Sequence, residues 1–139
     1  MACTLGIDHG SKRIGLAVSD PSGTVALPAG TLPSRGLARD LAAIRQVVEA
    51  RQVERIVVGL PVHMDGRHGR QAEAAREFAE HLARELGLPV ETLDERWTTR
   101  EAERALRATG RKGKKKRAVI DSVAAALLLR TYLEREGAG

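Results

Sequence analysis

Three carboxylates draw attention by where they fall. Asp8 closes the apolar run Cys3-Thr4-Leu5-Gly6-Ile7 and is followed by His9-Gly10-Ser11-Lys12-Arg13. A carboxylate set into a strand pattern is costly to bury unless it is paired or binds a cation. Gly10 permits close backbone approach there, and the Ser11 hydroxyl suits a phosphate; the alternative is an ordinary turn aspartate. Glu95, in Leu93-Asp94-Glu95-Arg96-Trp97-Thr98-Thr99, follows a second apolar run. It falls at the edge where α/β sheets place their sites. The alternative is an acid paired with Arg96 or with a helix N-terminus, a role that fits Asp94 better than Glu95. Asp121 stands in the first turn of an apolar final helix; its alternative role is to complement the helix dipole. If the three converge, their oxygen-only donors select a hard cation, Mg²⁺ or Mn²⁺. Two such ions roughly 3.5–4 Å apart activate water and stabilise a leaving oxygen in phosphoryl transfer. Zinc does not fit, because His9, His63, His68 and His81 show neither Cys/His ligand spacing nor an HExxH motif. His63 and His68 share a loop, where contact with a substrate competes with simple exposure.

The charge distribution points to a polyanion. The net charge is +5, and Arg111-Lys112-Gly113-Lys114-Lys115-Lys116-Arg117 holds six basic residues, leaving 17 basic and 18 acidic residues elsewhere. The whole surplus therefore lies in one short segment, as a nucleic-acid contact requires. A solvated, solubilising loop is the plainer reading. Trp97, Tyr132 and Phe78 are the only large aromatics. That is too few for the stacking platforms of RRM or OB modules, so a nucleic acid would be gripped by its backbone. No apolar run approaches the ~20 residues of a membrane span. The start of the chain lacks a basic n-region, so no signal peptide is expected. The single cysteine, Cys3, falls in the first apolar run as a small hydrophobe, and a reducing cytoplasm is the expected compartment.

The elements that must position these acids follow from turn signals and periodicity. Cys3–Asp8, Ile14–Ser19 and Thr24–Leu32 read as three short strands joined by tight turns, the third weakened by Pro28. Leu37, Leu41, Ile44 and Val48 recur at helical spacing over 34–51. Arg55–Gly59 is the short apolar strand of a parallel sheet. Ala72, Ala75, Phe78, Ala79, Leu82, Ala83 and Leu86 stripe a second helix stopped by Gly87 and Pro89. Pro89–Leu93 is a fifth strand and Thr98–Arg107 a short charged helix. After the basic loop comes a buried helix over Ala118–Glu134. The order β-β-β-α-β-α-β-α-α predicts a mixed sheet with helices on its faces, in one α/β domain spanning 1–139.

Four blocks carry a family resemblance. They are Gly6-Ile7-Asp8-His9-Gly10-Ser11-Lys12-Arg13-Ile14-Gly15-Leu16-Ala17-Val18-Ser19-Asp20, Val58-Gly59-Leu60-Pro61 with Met64-Asp65-Gly66, Asp94-Glu95-Arg96-Trp97-Thr98-Thr99 with Glu101-Ala102, and Asp121-Ser122-Val123-Ala124-Ala125. Over nearly its whole length the chain resembles the YqgF or RuvX-like family of pre-16S rRNA nucleases, relatives of the RuvC Holliday-junction resolvases. The resemblance implies an RNase H-like fold with a five-stranded mixed sheet flanked by helices. It implies Asp8, Glu95 and Asp121 as catalytic metal ligands, and a role in maturing the 5′ end of pre-16S rRNA. Two departures leave these acids in place: Trp97 stands where leucine is commoner, and Arg67-His68 follow Gly66 where a small hydroxyl residue is common. Trp97 suits core packing better than base stacking.

On this reading the reaction is hydrolysis of RNA, or of structured DNA, by metal-activated water. Ser11, Lys12, Arg13 and Arg96 meet phosphates near the ions, and Arg111, Lys112, Lys114, Lys115, Lys116 and Arg117 draw in the strand. A resolvase acting on branched DNA uses the same chemistry but needs a homodimer. An actin-like or sugar-kinase phosphate loop would need a second domain, for which 139 residues are too few. A non-catalytic assembly factor on a ribosomal precursor gains nothing from three converging negative charges.

Overall fold

The computed structural model describes residues 3–10, 12–61, 69–94 and 113–138, with side chains in the last stretch from Asp121 to Glu136. Strands β1 (Cys3–His9), β2 (Arg13–Ser19) and β3 (Ala26–Pro33) form the antiparallel meander that the turn signals predict. Asp20 builds the second turn. Its carboxylate accepts from the Thr24 and Val25 backbone N–H groups at 3.0 and 2.9 Å and from the Ser22 hydroxyl at 2.6 Å. These bonds hold its pKa below the ordinary value, the Ser22 bond first. Helix α1 (Leu37–Arg51) then carries the chain back, so that β4 (Val53–Leu60) pairs parallel to β1. Helix α2 (Arg70–Leu86) does the same for β5 (Val90–Asp94), parallel to β4. The sheet order is β3-β2-β1-β4-β5. Pro28 is tolerated because β3 is an edge strand and needs only one set of ladder bonds.

The two faces of the sheet bury different partners. Leu5, Ile7, Ile14, Leu16, Ile56 and Val58 meet Ile44 of α1 and Ala75, Phe78 and Leu82 of α2. Each such large side chain contributes about 1.5–3 kcal/mol on full burial. On the other face Ala17, Val57 and Leu93 pack under helix α3 (Gly113–Ala138) through Ala125, Leu128, Leu129 and Tyr132. Phe78 and Tyr132 are both core residues, 3% and 5% exposed, and so are closed to base stacking.

Three expectations change. The last helix begins at Gly113, so Lys114, Lys115, Lys116 and Arg117 are helical rather than loop. Lysine and arginine are good helix formers, and nothing between them and Ala118 breaks the run. Leu37, at the start of its helical stripe, is 44% exposed. It is the first residue of α1, entered through Gly36 at φ 104°, and the buried Asp40 fastens this entry. Asp40 accepts from the Ser34 hydroxyl at 2.8 Å and the Arg35 N–H at 2.9 Å. Strand boundaries also move by one to two residues, β4 starting at Val53 and β3 at Ala26. The Thr98–Arg107 helix lies outside the described residues, as do Ser11, His63, His68, Glu95, Arg96, Trp97, Arg111 and Lys112.

Candidate active site

Side-chain alternation assigns Asp8 its face. Leu5 and Ile7 point to α1 and α2, so Gly6 and Asp8 point to α3. Gly6 shows the contact directly: a Cβ there would lie 2.9 Å from the Leu129 Cβ and 3.1 Å from the Ala125 carbonyl oxygen. Asp8 is half-buried, and its neighbours across the ladder are Gly15 on β2 and Gly59 on β4. Beyond Gly59 comes Leu93. Across the ladder the row thus reads glycine, aspartate, glycine, leucine.

Helix α3 closes over this row. A Cβ on Gly15 would fall on the Asp121 backbone carbonyl, so Asp121 stands directly above the residue paired with Asp8. Glycine inside a strand commonly marks such a close backbone approach. Ser122 secures the contact: its hydroxyl donates to the Leu16 carbonyl at 3.3 Å and accepts from the Gly30 N–H at 3.2 Å. These bonds fall where the β2–β3 ladder shifts register, between Gly15 and Ala17. They serve backbone groups at an irregular stretch of ladder.

Asp121 is partnered by Arg13. The Arg13 Nε donates to Asp121 Oδ2 at 2.7 Å, with the two side chains 31% and 22% exposed. The structure therefore places Arg13 on a proposed ligand, where the sequence suggested a phosphate contact. Lys12 is exposed beside it, in the β1–β2 turn, and its carbonyl accepts from the Ser34 N–H at 2.9 Å. Glu95 follows β5 in the chain, whose last residue, Asp94, is paired with Leu60. On the opposite face His9 stacks on Phe78, ring centroids 4.6 Å apart. Burial lowers its pKa, against the pull of the Asp40 carboxylate.

The described part of the site suits a hard cation by donor type. Asp8 and Asp121 share one sheet end, and Asp121 already has a positive partner. Among the described residues no group of three His, Cys, Asp or Glu is close enough to hold an ion; the third proposed ligand, Glu95, lies outside them. The residues that sequence reading missed are Gly15, Gly59 and Ser122, along with Arg13 as a partner of Asp121. Glycine inside strand patterns was the available signal for the first two. Nothing local signals an ion pair between residues as far apart in the chain as Arg13 and Asp121. A cavity of about 500 Å³ lined by Arg76, Glu80, Glu91, Thr92 and Tyr132 runs along β5. Tyr132 stands about 16 Å further along α3 than Asp121 at 1.5 Å per residue. Its hydroxyl accepts from Arg55 at 2.9 Å.

A mixed five-stranded sheet, antiparallel through β1–β3 and parallel at β4 and β5, with helices on both faces, is the RNase H-like fold. The chain belongs to the RuvX family, described as Holliday junction resolvase, whose family profile matches residues 2–135. It is 49% identical over 133 residues to a Moorella thermoacetica protein named "Putative pre-16S rRNA nuclease", covering 96% of this chain and 95% of that one. A protein of the same name from Anaeromyxobacter dehalogenans is 48% identical over 132 residues, covering 95% and 96%. Among solved structures, T. thermophilus RuvC in complex with a Holliday junction substrate superposes with a TM-score of 0.60 at 18% identity, covering 99% of this chain and 97% of that one. Fowlpox virus resolvase gives 0.57 at 9% identity, covering 96% and 98%. At these identities the two structures establish the fold alone. Among the described residues no helix is long and apolar enough to cross a membrane.

Proposed function

We propose that the chain is a single-domain nuclease, residues 1–139, that hydrolyses phosphodiester bonds with Mg²⁺ or Mn²⁺ held by Asp8, Glu95 and Asp121. The observation that carries this reading is the meeting of Asp8 and Asp121 over Gly15. Two acids from opposite ends of the sequence converge at one sheet end, because Gly15 lets the Asp121 backbone sit directly on the strand paired with Asp8. When bound, the ion supplies an activated water and a counter-charge for the leaving oxygen. The protein's own part is to hold the acids rigidly, α3 being fixed to β2 and β3 through Ser122. Lys12 and Ser11 lie near Asp8 in sequence and supply the groups that meet phosphates. Lys114, Lys115, Lys116 and Arg117 lie in the first described turns of α3 and bring their charge there together. With Arg111, Lys112 and Arg96 they attract the strand.

The names of the relatives favour pre-16S rRNA as the substrate; processing at its 5′ end in the cytoplasm, with a ribosomal precursor as partner, extends that reading. The description of the family favours a second reading, a homodimeric resolvase of branched DNA. Cleavage of labelled single-stranded RNA, a pre-rRNA 5′ fragment, single-stranded DNA and a four-way junction, with Mn²⁺, Mg²⁺ or EDTA, tests both. Metal-dependent cutting abolished by Asp8→Asn is expected, with the rRNA fragment preferred. A preference for the junction selects the resolvase, and equal activity of the variant refutes the site. Tight binding without cutting replaces the enzyme by an assembly factor.

A further inference from the structure

We propose that Arg13 is an exchangeable counter-ion of Asp121 that couples divalent-cation binding to nucleic-acid binding. The inference rests on the reading of Asp121 as a metal ligand. The bond from Nε to Oδ2, at 2.7 Å, is at the short end of charge-assisted contacts. Yet both side chains remain within reach of water, at 31% and 22% exposure. A partly solvated pair of this kind contributes little net stability, so giving up one partner for another costs little.

The surrounding structure confines that exchange to the side chains. The Asp121 backbone rests against Gly15, and Ser122 ties the same turn to β2 and β3. Helix α3 therefore cannot follow the guanidinium if it leaves. Arg13 begins β2, two residues before Gly15 and on the same face, so its stem is fixed by the ladder while its head can swing. A divalent cation arriving at Asp121 meets a positive group already bound to one carboxylate oxygen. Repulsion between the two weakens cation binding for as long as Arg13 has no other anion. A backbone phosphate is that anion. The planar guanidinium binds phosphate through two parallel N–H groups, a better match than one Nε bond to a carboxylate. Nucleic acid thus draws Arg13 away and frees Asp121 for the ion. By linkage, the ion strengthens nucleic-acid binding by the same factor.

Mn²⁺ affinity is measured by electron paramagnetic resonance on the full chain, with and without a 2′-O-methyl phosphorothioate oligoribonucleotide. Mn²⁺ taken up by the oligonucleotide alone is subtracted. In the wild type the oligonucleotide should tighten Mn²⁺ binding about tenfold, within the usual range of coupling between sites. Arg13→Gln should bind Mn²⁺ about tenfold more tightly with no oligonucleotide present, and adding it should change the affinity less than about twofold. Arg13→Lys guards against a folding failure of the glutamine variant, since it keeps the charge and loses the fork. It should keep the weak Mn²⁺ affinity and show a coupling of only about threefold. Wild-type or weaker Mn²⁺ binding by Arg13→Gln, or full coupling in Arg13→Lys, overturns the proposal while the metal site stands. Mn²⁺ binding unaffected by Asp8→Asn overturns the site itself, and this inference with it.

Discussion

Gly15→Ala tests the closest contact in the candidate site. The added methyl would fall on the backbone carbonyl of Asp121, not on the end of a flexible side chain. Nothing there moves cheaply: Asp121 belongs to a 26-residue helix fixed at this point by Ser122. Overpacking of a well-packed core costs about 1–3 kcal/mol. A clash with fixed backbone should lie at the top of that range, about 3 kcal/mol. Gly87→Ala is the control. Gly87 sits at φ 67° after α2, and a methyl added there would meet nothing within 4 Å, so its cost is conformational. That cost is about 1 kcal/mol. Urea denaturation followed by circular dichroism should therefore separate the two variants by about 2 kcal/mol. The surviving native fraction of Gly15→Ala should also lose activity about a hundredfold, because Asp121 is pushed away from Asp8. Gly87→Ala should keep wild-type activity. Equal stabilities for the two variants would refute the close approach of α3 to β2, and with it the convergence of the two acids.

Ser122→Ala leaves the Leu16 carbonyl and the Gly30 N–H without their side-chain partner. It should cost about 2 kcal/mol in the same denaturation assay, and a cost near zero would mean that neighbouring backbone takes over both groups. Replacing Lys114, Lys115, Lys116 and Arg117 by glutamine should weaken RNA binding and flatten its dependence on salt by about 0.7 per lost phosphate contact on the logarithmic slope. Fluorescence anisotropy across a salt series measures this, and an unchanged slope takes the run out of the interface. Asp20 has its folded pKa depressed, chiefly by Ser22. Its contribution is thus fully present above the unfolded value and is lost as pH falls through the folded one. Asp20→Asn should lower stability at neutral pH and shrink the stability gap to the wild type in acid, as thermal melts between neutral pH and about pH 3 would show.

Much of the architecture is legible in the sequence because its signals are local. Asp20-Pro21-Ser22-Gly23 is turn chemistry readable in four residues, and the stripe from Ala72 to Leu82 is a single face of one helix. The start of α3 is obscured for the same reason. A glycine amid lysines looks like a loop, but the backbone carries the helix through to Gly113. Within the site, Asp8 is legible as an acid inside an apolar strand, and its face follows from period-two alternation. What is not legible depends on register. That Gly15 lies opposite Asp8, and that Asp121 lies over Gly15, comes from the β1–β2 pairing and the docking of α3. Arg13 illustrates the limit. Its sequence neighbours Ser11 and Lys12 suggest a phosphate, whereas tertiary packing gives it a carboxylate.

That pairing bears on how a cluster of acids survives folding. Carboxylates brought to one sheet end repel one another unless positive charge offsets them. The protein meets this cost in two ways within the described residues. Asp8 is only half-buried, so water still screens its charge. Arg13 places a positive charge on Asp121 at 2.7 Å. Both measures leave the acids in reach of solvent, and on the proposal above the arginine can change partners. A hydrophobic wall or a deeply buried ion pair would have stabilised the fold as well, but would have closed the site to an ion. A half-buried acid and a partly exposed counter-ion thus fit a binding site better than a purely structural ion pair.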